Sequence, residues 1–178
     1  EKKALRPIHF IERYCKQSKA KWAGKNIKLE LWQKAFIESA FGFIDKDTGF
    51  RKYNKVALYV ARKNGKSTLV SGLSNYMLTK DHEGGAEIYA LANTRDQAKI
   101  VWKESARMIK KSPALNKRIR CLVSEICYDA TDSIFKPLAS DSDNLDGLNA
   151  HFVAADEVHA WKDANLIDVT YDSMSART

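Results

Sequence analysis

Apolar side chains recur at helical spacing early in the chain, at Leu5, Ile8, Phe10, Ile11 and Tyr14, and predict a helix over residues 4–18. A polar, glycine-bearing link, "SKAKWAGKN", precedes a second predicted helix over 29–43. The stretch "DKDTG" then breaks the chain before Val56, Ala57, Leu58, Tyr59 and Val60, a run apolar on both faces that predicts a buried parallel strand over 55–60. From there the pattern alternates. It predicts a helix over 66–78, a strand over 87–92, a helix over 95–111 and three short β-like stretches over 119–123, 125–128 and 133–138. The polar loop "SDSDNLDGLN" leads to a strand over 151–155 and a last helix over 164–176. Strand and helix in alternation predict an α/β fold with a largely parallel central sheet flanked by helices. An N-terminal helical extension, 1–54, precedes a core of 55–178.

The junction between the first predicted strand and the helix after it carries the first candidate chemistry. "VALYVARKNGKS" ends as a phosphate-binding loop does, in Gly65-Lys66-Ser67, although Val60 stands where the G-x-x-x-x-G-K-[ST] pattern has its first glycine. Strand, tight loop and helix follow in the required order. Backbone N–H groups of Arg62, Lys63, Asn64, Gly65, Lys66, Ser67 and Thr68 at a helix start, aided by the helix dipole, suit triphosphate oxygens. Lys66 is placed to bridge the β- and γ-phosphates, and the Ser67 hydroxyl to ligate Mg²⁺. Gly65 allows the backbone to come close to the anion.

A second element decides between a working site and a chance Gly-Lys-Ser. "HFVAADEVHAW" is an apolar strand ending in Asp156-Glu157. Adjacent strand-end carboxylates repel unless a cation sits between them and phosphates. The pair therefore reads as Asp156 for the Mg²⁺ shell and Glu157 as the base that polarises water attacking the γ-phosphate. Together the two elements predict a P-loop NTPase of the RecA/ASCE-like kind that binds ATP with Mg²⁺ and hydrolyses it.

Length and composition set bounds on this. With 178 residues, 44% hydrophobic and 29% charged, the chain can bury a core without disulfides. Cys15, Cys121 and Cys127 are odd in number and lack metal-ligand spacing, which predicts buried thiols in a reducing compartment. No apolar run suits a membrane span. The net charge of +8 suits a polyanionic partner, and it is uneven. Lys16, Lys19, Lys21, Lys25 and Lys28 crowd one stretch, and Arg107, Lys110, Lys111, Lys117, Arg118 and Arg120 another; each reads as a grip on phosphates or as a solvated face.

"LELWQKAFI", "ARKNGKST", "ANTRDQA" and "VAADEVHAW", in this order, resemble the ATPase domain of the large terminase subunit of tailed bacteriophages, and "AGKNIKLELWQ" resembles its HK97-type branch. The resemblance implies a DNA-packaging motor. In that family the first loop glycine is commonly missing and an arginine sits in the loop, as Arg62 does, acting in catalysis beside Lys66 and Glu157. It implies that Gln33 reads the adenine edge, which suits an amide that accepts and donates at once. It implies double-stranded DNA, a small terminase subunit and a portal protein as partners, a homo-oligomeric ring (a pentamer) on the prohead, and the cytoplasm of an infected bacterium as location.

Arg95 and Gln97 would link the nucleotide site to the DNA-facing surface, and a coupling strand and an RNase H-like nuclease domain would follow Thr178. The loop Asn144-Leu145-Asp146-Gly147 lacks the arginine that the family places shortly before the acidic strand, which leaves Arg118, Arg120 and Arg177 as candidates to act on a neighbour's ATP. The alternative expectation is a superfamily 2 helicase or restriction-type translocase, carried by "DEVH" and "SMSART".

Overall fold

The computed structural model describes residues 2–139 and 148–161. Two helices open the chain, α1 (Lys2–Tyr14) and α2 (Leu31–Gly42), joined by a loop that includes the short turn Ala20–Trp22. The core follows as α3 (Lys66–Thr79), β1 (Glu87–Ala92), α4 (Arg95–Lys111), the short α5 (Pro113–Asn116), β2 (Arg120–Cys121), β3 (Ile126–Tyr128), β4 (Ser133–Ala139) and β5 (Ala150–Ala155). The sheet order is β2-β3-β4-β1-β5. Parallel pairing joins β4, β1 and β5, and antiparallel pairing adds β3 and β2 beyond β4. The sheet is thus mixed, with a parallel centre.

Helix α3 is the buried axis of the molecule. Leu69, Leu73, Met77 and Leu78 pack into the core, and even Ser71, Gly72, Ser74 and Asn75 are buried. A helix covered all round gains when its polar groups are satisfied internally. The Ser71 hydroxyl donates to the Val101 carbonyl at 2.9 Å, and Ser105 donates back to the Ser71 carbonyl at 3.2 Å, which joins α3 to α4. The Trp102 indole N–H donates to the Phe135 carbonyl at 3.2 Å and joins α4 to the sheet. Gly72 lets α1 approach closely: a Cβ there would lie 3.1 Å from the Ile11 side chain, which would have to shift to make room.

Helix α4 carries clean helical periodicity. Its buried side is Ala98, Val101, Trp102, Ser105, Met108 and Ile109, and Thr94 caps it by accepting from the Gln97 N–H. The bounds expected from sequence and those observed coincide.

One expected element is not formed. Residues 55–60 are extended but enter no ladder, and Val56 and Tyr59 are 48% and 93% exposed. The run was predicted to be a buried strand on the strength of its two apolar faces. The structure gives it no neighbouring strand among the described residues: it lines one side of an open groove of about 1770 Å³, and the free edge of β5 lines the other. Among the described residues the missed elements are short: the turn Ala20–Trp22, α5, which begins with Pro113 at its first turn, and the single turn Val158–Ala160. The predicted helix over 164–176 and the loop residues 144–147 lie outside the described residues.

Candidate nucleotide site

Parallel pairing brings the carboxyl ends of β1 and β5 level, with Leu91 opposite Ala155, and the Asp156 N–H extends the ladder by donating to the Leu91 carbonyl at 2.8 Å. In open α/β sheets the ends of the strands are where ligands bind. Asp156 is therefore fixed by the sheet itself and not by a loose loop.

The phosphate loop reaches the same place from the other side. Residues 61–64 are exposed, Lys63 has φ of 68°, and Gly65 caps α3 at φ 77° and ψ 14°, a left-handed conformation that glycine adopts without strain. The Asn64 side-chain amide closes the turn on the Ala61 carbonyl at 3.2 Å. Lys66, Ser67 and Thr68 form the half-buried first turn of α3, so their N–H groups belong to the unpaired set at a helix start. Val60 ends the extended segment, and the turn is made by the residues after it.

Lys66 Nζ lies 2.7 Å from Asp156 Oδ1. The same carboxylate oxygen accepts the Glu157 N–H at 3.0 Å. Loop lysine and strand-end acid, far apart in sequence, thus meet as a half-buried ion pair.

Glu157 is exposed and held at φ 51° and ψ 41°. A non-glycine residue in this region is strained and persists where its surroundings fix it. Here the fixing groups are the Ala160 N–H on the Glu157 carbonyl at 2.8 Å and the Trp161 indole N–H on the Asp156 carbonyl at 3.2 Å. Trp161 thus ties the acidic turn together; no periodicity in the sequence marks such a bond.

Gln33 is brought to the loop as well. It is buried, its Oε1 accepts the Glu30 N–H at 2.9 Å, and its Nε2 lies beside Gly65, where a Cβ would meet it at 3.4 Å. Arg62 stands on the exposed rim and lines the groove with Lys66, Glu157 and His159. Arg95 is exposed at the start of α4, and Gln97 buries its Oε1 without a hydrogen-bond partner among the described residues. Arg120, a candidate to act on a neighbour, is held by Asp129 through two bonds of 2.6 Å. Arg118 lies at the same end of the sheet in the α5–β2 link, and Arg177 is outside the described residues.

No cluster of three or more His, Cys, Asp or Glu side chains suited to a metal occurs among the described residues.

A glycine-capped helix start facing a strand-end acid across a lysine is the arrangement of a P-loop nucleotide-binding domain. Solved structures share the fold. The fold matches the HK97 bacteriophage large terminase with a TM-score of 0.81 at 24% identity, over 97% of this chain and 35% of that one. It matches the Thermus phage P74-26 large terminase ATPase domain with a TM-score of 0.55 at 20% identity, over 65% of this chain and 53% of that one.

The family model "Terminase large subunit, ATPase domain" matches residues 31–178, and the chain belongs to that family. A curated relative, the large terminase subunit of Enterobacteria phage HK97, is 28% identical over 155 residues, which is 85% of this chain. The chain spans 30% of that relative's length. The match favours the terminase over the helicase expectation.

Proposed function

We propose that this domain hydrolyses ATP to drive translocation of double-stranded viral DNA into a prohead. The observation that carries the reading is the contact of Lys66 with Asp156, since it joins the phosphate loop to the acidic strand end as a single site. The triphosphate would lie along residues 62–68, with Lys66 moving from Asp156 to the phosphates and Gln33 recognising the base. Ser67 and the released Asp156 carboxylate would hold Mg²⁺, whose charge would neutralise the phosphate oxygens. Glu157, strained into the groove-facing turn, would take the proton from the attacking water. Arg62 would face the developing charge from the loop. In the complete protein the domain would work as a ring, with the small terminase subunit, the portal protein and a nuclease domain as partners in the cytoplasm of the infected cell.

Glu157→Ala tests the base. The variant should bind ATP within about threefold of the parent and lose hydrolysis by about 10² or more, as general-base removal does. Nucleotide titration beside phosphate release measures both, and unaltered turnover would remove Glu157 from the mechanism.

A further inference from the structure

The two basic stretches in the sequence are remote from the nucleotide chemistry and from each other along the chain, yet the fold brings them together around one acid. Glu104, in the middle of α4, is buried. Its carboxylate accepts the Ser18 hydroxyl and pairs with Lys19 at 3.9 Å and with Arg107 at 3.8 Å. After Asp96 it is the only acid on α4, so the exposed side of the helix from there on presents Lys103, Arg107 and Lys110 with no exposed carboxylate between them. These residues fall at helical spacing on one stripe.

The loop over 16–26 completes the face. It is ordered by a bridge between Lys16 and Asn26, by the Gln17 N–H on the Lys25 carbonyl at 2.8 Å and by the Gly24 N–H on the Gln17 carbonyl at 2.9 Å. Gly24 has φ of 83°, which the tight return requires. At its tip Trp22 is 52% exposed, and the Lys21 and Lys25 ammonium groups lie 5.1 and 4.7 Å from the ring centre. The negative quadrupole of the ring attracts both ammonium groups and keeps them beside it. From residue 13 to residue 29 the sequence has no acid.

We propose that this loop and the outer stripe of α4 form one docking surface for the sugar–phosphate backbone of a nucleic-acid duplex. The chemistry favours phosphates over a protein partner: the surface is a row of exposed cations and its aromatic ring is engaged by ammonium groups, whereas a protein interface has an apolar centre. Backbone contacts of this kind give binding that ignores base sequence and falls steeply with salt. The choice of a duplex rests on the proposed function, whereas the binding it predicts does not depend on hydrolysis.

The test is binding of a fluorescent 20-base-pair duplex to the purified chain without nucleotide, by anisotropy across a salt series. Lys21→Glu with Lys25→Glu, and separately Lys103→Glu with Lys110→Glu, should each weaken binding about tenfold or more and lower the log–log salt slope by about 2, one per lost phosphate contact. The pair Lys46→Glu with Lys80→Glu makes the same charge change away from this surface and should stay within about twofold of the parent. Two duplexes of unrelated sequence should bind alike. Equal weakening by the control pair would reduce the effect to net charge and overturn the proposal. Weakening by only one of the two surface pairs would overturn the composite surface, and preference for an unpaired strand or an acidic polypeptide over the duplex would overturn its occupant.

Discussion

The Asp156 carboxylate serves two groups through one oxygen, the Lys66 ammonium and the Glu157 N–H. A triphosphate that took Lys66 would have to draw it from this partner, so the pair would compete with the phosphates for the lysine. Asp156→Asn separates these effects. It exchanges a charge-assisted bond for a neutral one, a change of about 1–2 kcal/mol or roughly tenfold. In chelator, Asp156→Asn should bind ATP as tightly as the parent or more so, because Lys66 is released. With Mg²⁺ present the parent should gain affinity and the variant should not. Fluorescence titrations under the two conditions measure this, and an equal gain from Mg²⁺ in both proteins would take Asp156 out of the metal role. The motif reading named these side chains from their types and order, but it did not give their direct pairing or the indole bond of Trp161, because both depend on how β5 ends and turns.

The same two elements that form the site, α3 and β5, are tied at their other ends by a second ionic cluster. Asp81, just after α3, accepts both guanidinium N–H groups of Arg51 at 2.8 Å, and His151 Nε2 at the start of β5 lies 2.8 Å from its Oδ2. Burial alone would raise the Asp81 carboxyl, but the bonds to His151 and Arg51 outweigh it and hold the group below the usual carboxylate range. A depressed folded-state pKa means stability that is fully present above the unfolded value of about 3.9 and is lost as pH falls through the folded value. Asp81→Asn should therefore cost about 3 kcal/mol at neutral pH, since it strands a half-buried guanidinium. Its denaturant midpoint should also change less than the parent's as pH is lowered through the acid range; parallel pH profiles would rule out Asp81 as the source.

Legibility from sequence divides at this scale too. Helix α4 could be read to its ends because a capping threonine, an amphipathic stripe and terminal lysines are local signals. The run Val56–Val60 could not, because pairing depends on a neighbour, and apolar character alone does not supply one.

At the scale of the molecule, burial is unevenly shared. The core runs from α1 and α2 through α3 and α4 to β1 and β4, with Ile11, Ile37, Leu69, Ile88, Ile109 and Phe135 fully enclosed. On the other side of α3 the extended segment 55–60 faces the edge of β5 across the open groove. Local stability follows buried apolar contacts and paired amides, so the two sides should open with different free energies. Amide hydrogen exchange resolves this residue by residue. The N–H groups of Ile88 to Leu91, paired between β4 and β5 in the sheet centre, should exchange only through global unfolding. Those of Val56 to Val60 should exchange within the fastest class, through openings of about 1 kcal/mol or less. Saturating ATP with Mg²⁺ should slow the amides of residues 62–68, where the phosphates would bind, and should leave those of Val56 to Val60 fast. Protection of Val56 to Val60 equal to that of β1 in the free domain would mean that the segment is paired in solution, and would refute an open groove beside β5.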